Sequence, residues 1–394
     1  MVHPPAAVPA GAARRTPPPY GVAPGGWRAQ RSPGLRTDIP LLAASVLLLG
    51  LGLVMVFSAS YVQALAESGD PLFYVKRQLQ GAVLGSLALI LFARVDYHYW
   101  RRFTWPLVGL ATVLLVTVLF VGREIAGAKR WIPLGPINLQ SSEVAKIALV
   151  LALADWGVRR RFWLRSFWKG YLPPLLLGVV FFGLIMLEPD LGTGLTIVGT
   201  TVLVLFVAGV SGWQLLGTAL AGLPAVAYLI WSEPYRWRRI VGFLNPWADP
   251  AGAGYQTIQS LLAVGSGGLF GVGLGASRQK FYYLPEQHTD FIFGIIGEEL
   301  GFLGAVFVVL LFLVLGWRGL RAALRAPDLY GTLLATGLAG LIVIQAFLNI
   351  GVVTGVLPVT GVTLPFISYG SSSLVVSLAS VGILLNIAGQ GRIG

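Results

Sequence analysis

The sequence predicts an all-α polytopic membrane protein of about ten transmembrane helices, with a large extracytoplasmic loop between helices 7 and 8. Three observations carry that prediction. Hydrophobic residues make up 56% of the 394 and charged residues only 11%, where a soluble chain would carry about a quarter charged. The mean hydropathy is +0.77. The apolar residues gather into ten runs separated by loops that hold most of the arginines, and a bilayer core needs roughly 20 apolar residues per helix.

The runs cover residues 41–60, 79–93, 104–122, 142–156, 171–187, 193–210, 213–231, 291–317, 330–353 and 366–386. The second and fourth are short for a full crossing and are expected to be tilted, buried or lengthened by their polar flanks. Ahead of them, residues 1–38 are rich in Pro, Gly, Ala and Arg without apolar periodicity, the composition of a disordered cytoplasmic tail. No apolar core near the start suits a cleavable signal peptide. Residues 39–388 form the membrane domain and 389–394 a short C-terminus. With both termini cytoplasmic, 17 of the 28 basic residues fall inside, 10 outside and Lys146 within a span. Five of the outer ten lie in the one long connection, residues 232–290, so the short loops follow the positive-inside rule more closely than the total does. Membrane orientation therefore explains the net charge of +12 better than nucleic acid does. Within the long connection, TIQSLLAVGSGGLFG reads as a short amphipathic helix and a glycine turn against the membrane surface.

Cysteine is absent, which excludes disulfides, thiolate nucleophiles and Cys-ligated metals. Three scattered histidines, His3, His98 and His288, do not suit a His-rich zinc site. No Walker motif or dinucleotide fingerprint is present, so no nucleotide cofactor is expected; GSGGLFGVGLG is only a weak phosphate-loop signal. Twelve of the 16 acidic residues lie on the outer side or in the outer half of the spans, so acid–base chemistry should face outward.

Residues 265–301 concentrate the ionisable groups. Arg278, Lys280, Glu286, His288 and Asp290 precede an apolar run that still holds Glu298 and Glu299. Asp290 stands where loop becomes helix, which suits a general base of low to moderate pKa, and equally an N-cap, with Thr289 as the other cap candidate. Glu143 and Lys146, three apart on one helix face, read as a structural ion pair or as a lysine that faces a cavity and binds an anionic head group. Lys129, Arg130 and Trp131 suit a phosphate with a sugar face, or an interfacial anchor. Arg236, Arg238 and Arg239 run against the positive-inside rule and suggest an anionic ligand, or phospholipid contact. EPDLGT, from Glu188, reads as a tight outer turn. Ser368 and Tyr369, read as part of the last span, begin a run of small hydroxyl residues that allows close helix approach or lines a polar cavity.

At these residues the chain resembles the SEDS family (shape, elongation, division and sporulation proteins), from about residue 41 to 386. The segments that carry the resemblance are GAKRWIPLGPINLQSSEVAK, EPDLGT, FLNPWADPAGAGYQTIQS, GLGASRQKFYYLPEQHTDFIFGIIGEELG and NIGVVTGVLPVTGVTLPFISYGSSS. SRQKFYYLPEQHTDFIF and TGVTLPFISYG look more like the FtsW-like branch of division and sporulation than the elongation-type RodA branch. The chain departs from the family at Ser141, where Pro is common, and at Ser371, where Gly is common.

The resemblance implies a peptidoglycan glycosyltransferase in the bacterial cytoplasmic membrane, polymerising lipid II (the undecaprenyl-pyrophosphate-linked disaccharide peptide) at the outer face. It maps the family's essential aspartate to Asp290, its intramembrane pair to Glu143 and Lys146, and the Arg-Trp of its first large outer loop to Arg130 and Trp131. Asp290 would deprotonate the acceptor 4-hydroxyl, whose oxygen would displace the lipid pyrophosphate with inversion. Lys129, Arg130, Arg239, Arg278 and Lys280, or a Mg²⁺ or Mn²⁺ ion, would offset the growing charge, with Glu286, His288, Ser368 and Tyr369 around the substrate. The implied partners are a class B penicillin-binding protein and other divisome or elongasome membrane proteins. A flippase for the same precursor is the rival, on the strength of ten spans and a buried ion pair. It needs polar groups on both sides and along a path, whereas here they crowd outside. A scaffold that recruits a partner is a third reading, and it has little use for the ionisable loop before Asp290.

Overall fold

The computed structural model describes residues 37–125, 128–134, 137–281 and 283–391; the predicted tail up to residue 36, and Arg392 at the other end, lie outside them. α1 (Ile39–Ser68) and α2 (Phe73–Arg94) are followed by a single turn, α3 (Tyr97–Trp100), that leads into α4 (Thr104–Val121). A small antiparallel sheet fills the connection that leaves α4, with β1 (Arg123–Ile125), β2 (Ala128–Leu134) and β3 (Ile137–Gln140) in that order. Then come α5 (Ser141–Arg159), α6 (Leu172–Leu187), α7 (Leu191–Ala208) and α8 (Gly212–Trp231). The long connection carries α9 (Pro234–Leu244) and α10 (Tyr255–Ser266), the latter at the predicted amphipathic helix. α11 (Ile292–Arg325), α12 (Leu329–Val353) and α13 (Ser371–Gln390) follow.

Long helices thus stand at all ten predicted runs. Among the described residues, eight are long and apolar enough to cross a membrane, and the chain is a multi-pass membrane protein. α2 and α5, the two runs predicted to be short, extend to 22 and 19 residues. Charged residues set these two apart: Lys76 and Arg77 open α2, and Glu143, Lys146 and Asp155 sit in α5. The sheet was not expected: β2 reads AKRWIPL, where a proline and two adjacent cations mask any strand alternation.

α5, α12 and α13 are the most buried helices; α2 lies along α13, and α11 along both α12 and α1. Lipid gives helices no hydrophobic reason to associate, so small residues that let backbones approach decide the contacts. A Cβ on Gly81 of α2 would stand 2.9 Å from the Cβ of Ser371, and one on Gly382 of α13 would stand 2.5 Å from Leu89 O. The departure at Ser371 fits because glycine faces it, and its hydroxyl donates to Arg77 O at 3.1 Å. Ser371 also starts α13, which corrects the predicted start at 366. Phe366 (φ 66°) and Gly370 (φ 159°) are not helical, so Ser368 and Tyr369 belong to an irregular segment, residues 356–370, ahead of the last span.

α11 is broken at Gly301, with φ 69° and ψ −167°. A break leaves carbonyls before it and N–H groups after it without helical partners. The glycine-rich run supplies them. Val272 N and Gly273 N donate to Glu298 O and Glu299 O at 3.0 and 3.1 Å, while Phe302 N and Leu303 N donate to Gly268 O and Leu269 O at 2.8 and 3.2 Å. A Cβ on Gly271 would stand 2.1 Å from Glu299 O, so main chain must meet main chain there. The weak phosphate-loop signal is accordingly corrected to a structural joint.

Candidate active site

Asp290 ends the loop that enters α11, but it is not the helix cap. Phe291 occupies that position and no side chain caps the helix, which removes the N-cap reading. The strand of loop around Asp290 is held by three consecutive carbonyls. His288 O accepts from Tyr369 N at 2.9 Å, Thr289 O from Ser368 Oγ at 2.5 Å, and Asp290 O from Asn349 Nδ2 at 2.7 Å.

Arg130 reaches the same place from β2. Side chains alternate along a strand, so Lys129 and Trp131 project to the other face. Arg130 Nε donates to Glu188 O at 3.1 Å and Nη2 to Pro189 O, while Nη1 lies 3.9 Å from Asp190 Oδ2. The EPDLGT turn is therefore the cradle of Arg130. Asp190 also caps α7, accepting from Thr193 N at 3.0 Å. A Cβ built on Gly361 would stand 3.6 Å from Asp290 Oδ2 and 3.9 Å from Arg130 Nη1, so carboxylate and guanidinium both border a position without a side chain. Arg239, from α9, donates through Nη1 to Val359 O at 2.9 Å and through Nη2 to the Tyr235 hydroxyl. Residues 356–370 thus border Asp290 and Arg130 and accept from Arg239.

Asp290 keeps a partly exposed edge but lies deep in the protein. That burial pushes its carboxyl up to about 7; Glu286 adds to the rise, Arg130 opposes it, Asp190 adds, and Arg239 opposes. The expected low to moderate value is corrected accordingly: desolvation outweighs the two guanidinium groups. Burial also pushes Glu188 up to about 8, against the Ser141 hydroxyl that donates to it at 3.1 Å. Glu188 is then mostly neutral at pH 7 and adds little negative charge beside Arg130. Ser141, the second departure from the family pattern, supplies this bond. His288 is drawn below its ordinary value by burial; it sits against the Tyr74 and Tyr369 rings, with centroids 4.6 and 5.6 Å away.

The other predicted site residues are distributed as follows. Glu286 lies in the preceding turn and accepts from Thr289 Oγ1 at 2.8 Å. Ser368 and Tyr369 are spent on holding the Asp290 strand. Arg278 is exposed, with its backbone N–H on Glu298. Lys280 is fully buried, with its ammonium on Glu299 Oε1 at 3.2 Å and on Gly275 O, which removes it from the cations able to meet a pyrophosphate. Glu143 and Lys146 pair at 2.8 Å with side chains 3% and 2% exposed, as a structural ion pair would be. Among the described residues, no three His, Asp or Glu side chains group closely enough to hold a metal ion. Sequence reading passed over Asn349 and Gln345. Two amides one turn apart on an apolar helix were a signal that could have found them.

The family profile described as "Cell cycle protein" (FtsW, RodA, SpoVE) matches residues 40–393. Stage V sporulation protein E of Bacillus subtilis is 49% identical over 90% of this chain and 98% of its own length. A protein of Geobacter sp. (strain M18) named "Probable peptidoglycan glycosyltransferase FtsW" is 44% identical over 90% of this chain and 97% of its own. Among solved structures, a chain from a peptidoglycan synthase complex that coordinates polymerization and crosslinking is similar with a TM-score of 0.75 and 35% identity, covering 90% of this chain and 98% of that one. The rod shape determining protein RodA of Thermus thermophilus is similar with a TM-score of 0.66 and 34% identity, over 90% and 97% of the two chains.

Proposed function

The chain belongs to the FtsW, RodA and SpoVE family of cell cycle proteins, and on that premise we propose that Asp290 is the general base of its polymerase reaction. The chain is a peptidoglycan glycosyltransferase. Its substrate in this reading is lipid II, met at the outer face of the cytoplasmic membrane with both termini inside. The observation that carries the assignment is the approach of Asp290 Oδ2 and Arg130 Nη1 to the bare position at Gly361.

Asp290 takes the proton of the acceptor sugar's 4-hydroxyl. The oxygen attacks C1 of the donor sugar, the bond from C1 to the pyrophosphate oxygen breaks with its electrons leaving on the pyrophosphate, and the anomeric centre inverts. A carboxyl poised near neutrality is suited to that proton transfer. Arg130 and Arg239 offset the charge that grows on the leaving group. A Mg²⁺ or Mn²⁺ ion, where one takes part, would offset the same charge as Arg130 and Arg239; among the described residues no His, Asp and Glu cluster would hold it. The closed Glu143–Lys146 pair speaks against a polar transport path through the bundle. A septal role is supported by the FtsW and sporulation relatives at 44% and 49% identity, against 34% for RodA. A class B penicillin-binding protein supplying the crosslinking is the proposed partner, since a similar chain works in a synthase complex.

The test is polymerisation of purified lipid II by detergent-purified protein, alone and with its class B partner, wild type beside Asp290→Ala and Asp290→Asn. Glycan chains from wild type only are expected. Near-wild-type turnover in either variant would sink the assignment of the base.

A further inference from the structure

We infer that Asn349 is a positioning residue for Asp290: one side-chain amide fastens the main chain of the base to the segment that faces its carboxylate. The inference rests on the reading of Asp290 as the base. Asn349 lies on α12, 1% exposed. Its Nδ2 donates at once to Asp290 O at 2.7 Å and to Val362 O at 2.6 Å. Val362 follows Gly361, the bare position that Asp290 Oδ2 and Arg130 Nη1 both approach. A single amide group therefore sets the spacing between the two walls.

The orientation of that amide is fixed by chemistry. Both partners are carbonyls, which only accept, so the NH₂ must face them. The Asn349 Oδ1 has no partner among the described residues, so the residue is not there to satisfy its own acceptor. An unpaired buried acceptor carries a cost, and the two donated bonds are what the position retains.

One turn earlier on α12, Gln345 makes a second tie. Its Nε2 donates to Thr363 O at 3.0 Å, while its Oε1 accepts from Lys146 Nζ at 2.6 Å. An ammonium only donates, so Lys146, held by Glu143, orients the Gln345 amide with its NH₂ toward Thr363. Gln345 thus steadies the segment, and Asn349 alone among these amides reaches Asp290. The neighbouring carbonyls of His288 and Thr289 hang on Tyr369 and Ser368 of the same segment. Releasing Asn349 frees the end of this ladder nearest the base. A misplacement of about 1 Å in a reacting group can cost on the order of 100-fold in rate.

Three variants test this in the full-length protein with its partner. Asn349→Asp keeps the shape but sets an acceptor against two carbonyls, Asn349→Leu removes both donors, and Asn349→Ser keeps one. Lipid II polymerisation is measured as kcat and KM across pH, with hydrogen exchange of peptides covering residues 286–292 and 356–366. For the Asp and Leu variants the expected result is a kcat lower by roughly 10- to 100-fold with KM within about 3-fold. The acid limb should move to lower pH as the carboxyl gains water, and exchange should be faster in those two segments only. The Ser variant should fall between, and it decides the matter if the other two do not purify folded. Wild-type kcat and pH profile in a folded variant would overturn the inference, as would a lower kcat with exchange unchanged in both segments. The exchange result does not depend on the chemical role of Asp290. Full activity in Asp290→Ala would thus remove the base reading while faster exchange still reported the tether.

Discussion

Asp290 is held between opposing influences, and their signs can be tested one residue at a time. Burial and Glu286 raise its pKa, while Arg130 and Arg239 lower it, and the balance stands at about 7. A base must be ionised, so the rate of glycan formation should climb with pH through about 7 and level off above it. Initial rates at saturating lipid II from acid to mildly alkaline pH would check this; a flat profile across neutrality would contradict it. Glu286→Gln removes a like charge and should move the acid limb to lower pH. Arg130→Lys should lower kcat, at most by the roughly 100- to 1,000-fold seen when one electrostatic stabiliser is lost outright. Lysine cannot reproduce the planar fork that holds Glu188 O and Pro189 O together. Asp290 and Arg130 were legible in the sequence because an ionisable group beside an apolar helix is costly enough to need a reason. The pKa of Asp290 was not, because it depends on how deep the loop sits and on charges from β2, α9 and the 188–190 turn. Asn349 was overlooked because a neutral amide makes no such demand when read alone.

At the scale of elements, apolar periodicity placed all ten long helices, and the errors lie where main chain meets main chain. The joint at Gly301 is the largest of these. Gly271→Val would force a side chain to 2.1 Å from Glu299 O, and Gly301→Ala would impose a Cβ at φ 69°. Each should destabilise by about 1–3 kcal/mol, read as a lower thermal midpoint in detergent. Gly265→Ala is the contrast: Gly265 lies in α10 with open space around a new Cβ, so the midpoint should hold or rise. Equal losses at all three positions would remove the joint as the cause. From the sequence the same glycines read as a turn with a weak phosphate-loop signal, because close backbone approach and phosphate binding call for the same residue. The sheet and the late start of α13 were hidden for a related reason. Each is set by a few backbone conformations, such as those of Phe366 and Gly370, rather than by a repeating pattern.

For the whole molecule, function depends on which face carries Asp290. The helix ends remote from Asp290 are tied by ion pairs, Arg318 to Asp38 at 2.5 Å and Arg101 and Arg159 to the buried Asp155 at 2.6 and 2.7 Å. The basic connections between α2 and α4 and between α5 and α6 lie at the same end, with Arg318, Arg321 and Arg325 in the last turns of α11, the pattern the positive-inside rule asks of a cytoplasmic face. Arg130, Arg239 and Asp290 gather at the opposite end of the bundle, where cations oppose the positive-inside rule unless a ligand of opposite charge uses them. The absence of cysteine gives a direct test, since any introduced thiol is unique. Lys129→Cys and Arg238→Cys, both at exposed positions, should react with a membrane-impermeant maleimide in intact spheroplasts. Arg161→Cys, also exposed, should react only after permeabilisation. The reverse pattern would put the base in the cytoplasm, facing away from the compartment in which glycan strands are built. The polymerase reading of Asp290 could not survive that result, whatever the rates of the purified protein. The expected pattern joins the three scales: the loop charges that orient the bundle also leave Arg130 and Arg239 outside, where the pyrophosphate of the precursor would meet them.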